Sequence, residues 1–134
     1  YNLAAREVGE EVMPYCRDNN ITILAHSPLG AGLLWGDDSS INKDRYARYG
    51  FDTPEKLAKY RDLIGVLGDI AQERGKAMAQ VAVNWVLCQS HVLPIIGPDT
   101  VEHLEENCGA VGWRLGAEEL GRIDAVVAEL SGLG

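Results

Sequence analysis

The stretch from residue 23 to residue 32, ILAHSPLGAG, decides the fold class of this chain. It starts as a short apolar run, passes through the polar corner His26-Ser27-Pro28, and ends in small residues around Leu29. A short, β-branched apolar run is typical of a strand buried in a parallel sheet. A glycine-rich loop lets the backbone approach another group closely. The stretch therefore predicts a buried strand followed by a loop whose backbone closely approaches another group, such as a ligand.

The composition limits the class of protein. The chain has 134 residues, enough for one domain, and 46% of them are hydrophobic. Its 20 Asp and Glu against 12 Lys and Arg give a net charge of -8, which argues against a general nucleic-acid or anionic-membrane surface. No apolar run approaches membrane-spanning length, and no signal peptide is visible. We predict a soluble, cytoplasmic protein with no membrane partner.

Cysteine and metal-ligand spacing give no sign of a special site. Cys16, Cys88 and Cys108 are odd in number and lack CxxC spacing, so we expect reduced thiols in the core. No His/Cys/Asp cluster has metal-ligand spacing, so we expect no metal site.

Hydrophobic periodicity predicts strands that alternate with helices. Helices are expected at residues 7–18, 53–74, 77–89, 101–108 and 117–130, and strands at 21–25 and 92–96. Residues 27–52 form a connection too long for a plain linker, which favours a functional loop or lid. This alternation indicates a parallel sheet with helical crossovers. Two strands cannot make a covered sheet, so either the chain oligomerises or it belongs to a larger barrel or sheet.

Two loops are candidates for chemistry because each follows the carboxyl end of a strand, where ligands bind in α/β folds. The first spans residues 27–32 and the second residues 97–107. Asp99 or Thr100 could cap the helix that the second loop opens, leaving free N–H groups that can hold phosphate. Glu106 and Asn107 could present polar groups to a ribose or purine.

Four segments together resemble the C-terminal half of an aldo-keto reductase. They are YNL at residues 1–3, EEVMPYCRDNNITILAHSPLGAGLL at 10–34, AQERGKAMAQVAVNWVL at 71–87, and VLPIIGPDTVEHLEEN at 92–107. The resemblance implies an α/β fold, the C-terminal portion of a (β/α)8 TIM barrel. Residues 1–134 would supply the end of the sixth unit, the seventh and eighth βα units and the C-terminal helix. The N-terminal half-barrel would be missing.

The resemblance also implies a cofactor site for NADP(H) or NAD(H). Ser27, Pro28 and Leu29 would line the diphosphate and nicotinamide side, and Gly32 would let the chain fold over it. His26 stands where the family commonly has an aromatic ring stacked on the nicotinamide, and Tyr1 and Asn2 would close the strand nearby. The positions that match the adenosine end are Gly97, Asp99, Thr100, His103, Glu106 and Asn107.

Departures from the family pattern bear on which cofactor is used. Asp99 stands where many relatives carry Arg, Lys or Ser against the 2′-phosphate of NADP, and a carboxylate would repel that phosphate. Asp37 falls where a cation is usual. We hypothesise tolerance of, or preference for, NADH, although Lys43, Arg45 or Arg48 could restore a cation.

The family's catalytic Asp, Tyr, Lys and His lie in the N-terminal half, so no catalytic residue is expected here. Tyr15 and Tyr60 are predicted to be packing residues, while Tyr46, Tyr49 and Trp35 lie on the long loop. The resemblance implies a fragment, inactive alone, of an NAD(P)H-dependent oxidoreductase acting on a small-molecule carbonyl. One alternative is a non-catalytic, cofactor-binding regulatory subunit of the same family. Another is a half-barrel that pairs with itself or another chain.

Overall fold

The computed structural model describes residues 1–36 and 43–131. Within these ranges, two strands and six helices follow one another. They are α1 (Val12–Asp18), β1 (Ile23–His26), α2 (Lys43–Arg48), α3 (Pro54–Arg74), α4 (Met78–Leu87), β2 (Val92–Ile95), α5 (Val101–Cys108) and α6 (Ala117–Ser131). Single 3-10 turns form at Glu7–Gly9 and Gly30–Gly32. The predicted alternation of strands and helices is confirmed, but α2 lies within residues 27–52, where the sequence predicts a functional loop or lid.

The two strands pair in parallel, as predicted. The register runs from Ile23 opposite Val92 to His26 opposite Ile95. Because parallel strands end at the same edge, the loops that follow β1 and β2 both leave from this carboxyl edge. The edge is therefore where the two candidate segments can meet.

Only one face of the sheet is covered within the described residues. Ala25 and Val92 are buried against the helices, but Leu24 on the opposite face is 64% exposed. Its neighbours Leu93 and Ile95 are 52% and 46% exposed. The prediction of buried strands holds for one face alone, because the described part of the chain places no layer on the other.

The core lies between the covered sheet face and the long helices. Its members are apolar side chains from α3, α4 and α6 that are almost fully inaccessible, among them Leu63, Leu67, Ile70, Val81, Val86, Ile123 and Val127. The Tyr1 ring stacks on Trp85, with ring centroids 5.3 Å apart. This contact fixes the start of the chain against α4, beside β1. Burial of such apolar side chains stabilises a fold by about 1.5–3 kcal/mol each.

The ends of α3 follow the predicted signals. The Thr53 hydroxyl accepts a hydrogen bond from the Lys56 amide at 3.3 Å, and Pro54 is the first helical residue. Gly75 ends the helix with φ +60°, a conformation that glycine adopts without steric cost. The long helix is thereby fixed in length, with Tyr60 near its first turns.

The first predicted helix is wrong in two respects. Residues 7–18 split into a 3-10 turn and α1, so Pro14 lies in the first turn of α1, where its missing N–H costs nothing. The predicted apolar face is mostly exposed, since Tyr15 is 64% and Val12 49% accessible while Cys16 is buried. Tyr15 is therefore not a packing residue among the described residues, whereas Tyr60 is.

The prediction of three core thiols is also partly wrong. All three cysteines are free, and Cys16 is buried, but Cys88 is half-buried and Cys108 is exposed at the end of α5. Helical spacing placed Cys108 correctly on a helix, but it did not show which side of α5 packs.

Among the side chains that the structure describes, three ion pairs join α3 to α6. The two guanidinium N–H groups of Arg74 donate to the two carboxylate oxygens of Glu119 at 2.5 and 2.6 Å. Arg122 pairs with Glu73 at 2.8 Å, and Lys59 pairs with Glu129. Glu119 is the buried member and also accepts from the Gly116 amide at 2.6 Å. The hydrogen bond from Arg74, with that from Gly116, holds the pKa of Glu119 below its ordinary value of 4.5.

Replacing Glu119 by Gln should lower the melting temperature by about 2–6 °C at neutral pH. Because the folded-state pKa lies below the unfolded value of 4.5, this stabilisation is complete above about pH 4.5 and is lost as the pH falls through the folded pKa. Melting curves from pH 7 to pH 3 should therefore converge for the parent and the variant. Glu118→Gln, an exposed neighbour, is the matched control and should change little; a constant gap at all pH values would contradict the argument.

Candidate functional site

The corner after β1 holds a strained serine. Ser27 has φ +53° and precedes Pro28, although a residue before proline prefers extended backbone. Such left-handed backbone costs a residue other than glycine about 1–3 kcal/mol and persists when neighbours enforce it. The Ser27 carbonyl accepts two hydrogen bonds, from the Asn2 side-chain amide at 2.8 Å and from the Gly30 N–H at 2.9 Å. The corner is thus held from two sides.

This corner orients His26. The Ser27 Oγ lies 2.7 Å from the His26 Nδ1, a hydrogen bond whose direction depends on the imidazole tautomer. The His26 ring is exposed and points from the uncovered face of β1 at the carboxyl edge. An imidazole fixed at Nδ1 presents its ring face and Nε2 to any ligand bound there.

The rest of the first loop is anchored to the core. Gly30, Ala31 and Gly32 all have positive φ, at 58°, 55° and 97°, so the loop turns back sharply. Leu33 and Leu34 then point into the core, and the buried Tyr60 hydroxyl donates to the Leu33 carbonyl at 2.5 Å. Pro28 is buried and Leu29 half-buried. The loop therefore has a defined conformation that is packed against the core, and it can form one wall of a binding site.

The second segment begins with a capped helix. The Thr100 hydroxyl accepts from the His103 amide at 3.1 Å, so Thr100, not Asp99, is the cap of α5. Asp99 is exposed immediately before the cap, and Gly97 is exposed with open space at its Cα. Hydrogen bonds from the Glu102 amide and from Thr100 lower the pKa of the Glu102 carboxyl. Negative charge is thus stabilised at this helix end, as the helix dipole requires.

An aromatic contact joins the two segments. The Trp35 ring, just beyond the first loop, meets the His103 ring of α5 edge-on, with centroids 4.8 Å apart and planes at 61°. Both side chains are half-buried. The resemblance assigned His103 to the adenosine end of the cofactor and the sequence placed Trp35 on the long loop; the structure pairs the two rings with each other.

The last turn of α5 is tied to α4. Gln80 accepts from the Ala77 amide at 3.0 Å and donates to the Glu106 carbonyl at 2.7 Å. Gln80 was not identified from the sequence, although a glutamine in the first turn of a predicted helix is a signal that could have indicated this role.

Asn107 is 3% exposed, and its Oδ1 has no hydrogen-bond partner among the described residues. A buried carbonyl oxygen without a donor costs about 1–3 kcal/mol, so this one is available to a donor that the chain itself does not supply.

A cavity of about 510 Å³ opens beside the His26-Ser27 corner. Its walls are Tyr1, Asn2, Ala4, Ala5, Glu7, His26, Ser27, Arg48, Tyr49 and Gly50. Arg48 is the candidate loop cation that the structure brings to this cavity, and Tyr49 lines it as well. Tyr46 instead packs edge-on against Tyr60, at 5.4 Å. Asp37 and the side chains of Lys43 and Arg45 lie outside the described residues.

Neither a metal-ligand cluster nor a membrane-spanning helix forms within residues 1–36 and 43–131. They contain no group of three or more His, Cys, Asp or Glu placed to hold a metal ion. They also contain no helix long and apolar enough to cross a bilayer.

A sequence model of the aldo/keto reductase family matches residues 1–128. The chain belongs to the aldo/keto reductase family. The resemblance found in the four sequence motifs is confirmed over nearly the whole chain. Members of this family are oxidoreductases that use nicotinamide cofactors on small-molecule carbonyl substrates.

Named relatives of this aldo/keto reductase chain act on different compounds. It is 38% identical over 109 residues to the chloroplastic pyridoxal reductase of Arabidopsis thaliana, covering 81% of this chain and 29% of that protein. It is 29% identical over 124 residues to versiconal hemiacetal acetate reductase of Aspergillus parasiticus, covering 90% and 36%.

Among solved structures, the glycerol dehydrogenase of Gluconobacter oxydans superposes with a TM-score of 0.84 at 28% identity, covering 96% of this chain and 41% of that one. Structural neighbours of this kind have the TIM-barrel fold, which confirms that the chain is part of a barrel of the predicted class. The chain thus spans about a third of the length of the curated relatives it matches.

Proposed function

We propose that this chain supplies the cofactor-binding part of an NAD(P)H-dependent oxidoreductase. The enzyme would reduce aldehyde or ketone carbonyls to alcohols, or run the reverse reaction. In the barrel, residues 1–134 would be the end of the sixth unit, the seventh and eighth βα units, and the C-terminal helix. The named relatives support the reaction class, because pyridoxal is an aldehyde and glycerol an alcohol.

One observation carries the proposal. The parallel register brings the strained corner after β1 and the capped start of α5 to the same edge, and the Trp35–His103 contact joins the two segments. A dinucleotide needs two such subsites side by side, one for each nucleotide half. The corner would take the nicotinamide half, and α5 the adenosine half.

The residues present fit such a cofactor. The Asn107 Oδ1 lacks a donor within the described part of the chain, and an adenine amino group is a donor. The start of α5 carries the positive end of a helix dipole, which suits a phosphate or a ribose oxygen. Ser27 and Pro28 shape the wall by the nicotinamide half, and Leu29 and Gly32 continue it. When bound, the cofactor supplies or accepts the hydride.

This chain's own residues would bind and orient rather than transfer a proton. Carbonyl reduction needs a general acid at the carbonyl oxygen. Burial raises the pKa of the Tyr1 phenol, and its ring is stacked on Trp85, so Tyr1 is not suited to that role. We propose that the proton donor and its Lys, His and Asp partners come from the N-terminal half-barrel.

The exposed sheet face supports the same division of roles between this chain and an N-terminal half-barrel. Leu24, Leu93 and Ile95 form an apolar face that the described helices leave uncovered. We propose that the N-terminal half-barrel of the same protein covers this face, since the relatives are about three times as long as this chain. A self-associating half-barrel predicts instead a concentration-dependent homo-oligomer of this chain alone, which sedimentation would detect.

The protein expressed from its complete gene should bind NADPH or NADH with a dissociation constant of about 1–100 μM. The measurement is a fluorescence titration, followed by an assay of aldehyde-dependent cofactor oxidation. Binding with turnover supports the enzyme, and binding without turnover on any aldehyde or ketone supports the regulatory subunit. Failure to bind either cofactor would contradict both readings.

A further inference from the structure

A buried carboxamide lies directly behind the His26-Ser27 corner. Asn2 is 2% exposed, and its Oδ1 accepts from the Ala4 amide at 2.8 Å. The Asn2 backbone also exchanges two hydrogen bonds with Ala5, each 3.1 Å long. These bonds fix the orientation of the side chain, so its amide nitrogen is aimed at one acceptor, the Ser27 carbonyl at 2.8 Å.

Ser27 needs this donor because its backbone is strained. With φ +53° before a proline, the residue would relax toward extended backbone if its carbonyl were released. That relaxation would turn the Ser27 Oγ away from the His26 Nδ1, which it now meets at 2.7 Å. The position of the imidazole therefore depends on a group that does not contact it.

We propose that Asn2 is a positioning residue for the nicotinamide half of the cofactor site. It acts through the Ser27 carbonyl, holding the strained corner and the His26 ring in the orientation that a cofactor meets. The inference rests on the proposed function, and it adds a residue that binds no cofactor itself but sets the affinity for one half of it.

The test compares two chemically matched substitutions. Asn2→Asp keeps the oxygen that accepts from Ala4 and removes the donor to Ser27. Asn84→Asp does the same at a second buried asparagine, which is 0% exposed, donates to the Ala110 and Trp113 carbonyls at 2.8 and 2.9 Å, and accepts from the Leu115 amide at 2.9 Å. Both variants are made in the protein expressed from its complete gene.

We measure the melting temperature and the dissociation constants for NADPH, NADH and ADP. Both variants should melt at lower temperature, but only Asn2→Asp should weaken binding of the preferred cofactor, by about tenfold or more. Binding of ADP, which lacks the nicotinamide half, should stay within about twofold of the parent for both variants. A role in stability alone would lower the melting temperature and leave the cofactor affinity unchanged, and that result overturns the inference.

A double-mutant cycle gives an independent readout. Glycine adopts φ +53° without strain, so Ser27→Gly should lower cofactor affinity by itself but make it insensitive to Asn2→Asp. Additive losses would overturn the inference. If Asn2→Asp does not fold, Asn2→Ser takes its place in both comparisons. A parent protein that binds neither cofactor refutes the proposed function, whereas a parent that binds while Asn2→Asp binds equally well refutes this inference alone.

Discussion

Replacing Asp99 by Arg should shift cofactor preference toward NADPH by about tenfold to several-hundredfold, measured as the ratio of kcat/KM for NADPH to that for NADH. The carboxylate is exposed immediately before the Thr100 cap, where we propose that the adenosine ribose binds. A carboxylate there repels a 2′-phosphate and accepts from a 2′-hydroxyl, while a guanidinium binds the phosphate through paired N–H groups.

The control for Asp99 is Glu105→Arg. Glu105 is exposed on α5, the helix that Asp99 precedes, and its replacement changes the charge by the same amount, but it lies more than one turn beyond the cap. It should leave the preference ratio within about threefold of the parent, because exposed charges act weakly over such distances. If both variants shift the ratio equally, net charge and not the local ribose contact sets the preference. A parent that strongly prefers NADPH would refute the NADH hypothesis itself.

Replacing Trp35 by Ala should raise the KM for the cofactor by about tenfold or more with a smaller change in kcat. The Trp35 ring, just beyond the first loop, contacts α5, and its loss removes the edge-on packing on His103. The two nucleotide subsites would then move independently. Cofactor binding would have to order them relative to each other, and this ordering lowers the affinity. Trp35→Phe keeps an aromatic edge and should recover most of the loss.

Trp113→Ala is the matched control for Trp35. Trp113 is also half-buried, but it packs on the core between α5 and α6, donates to the Gly109 carbonyl at 2.9 Å, and lies under Arg74 and Lys76. Its loss should lower the melting temperature while leaving the cofactor KM close to that of the parent. Equal KM increases in the two variants would mean that general destabilisation, rather than the link between loops, explains the Trp35 result.

Local sequence signals predicted most of the elements, because they depend on residues close together in the chain. Thr53, Pro54 and Gly75 set the limits of α3 through capping and backbone preference, and Thr100 set the start of α5. Apolar periodicity likewise gave both strands and their parallel pairing. The family followed from four motifs whose order and spacing are unlikely to arise together by chance.

Burial was less predictable, because it depends on what packs against an element and not on the element itself. The apolar spacing of α1 and the alternating faces of β1 and β2 indicate contact surfaces, but they do not say which part of a protein supplies the contact. This is why Tyr15 and Leu24 are exposed among the described residues although their patterns suggested packing.

By itself the sequence determined the helices, the parallel strands and the family of this protein, since each rests on local preference or on motifs in linear order. The tertiary structure alone decided which side chains meet at the site. The Trp35–His103 contact, the Asn2–Ser27 hydrogen bond and the Gln80 tie to α5 each join residues 25 or more positions apart. Such contacts depend on the angles at which whole elements pack, and no short stretch of sequence encodes those angles.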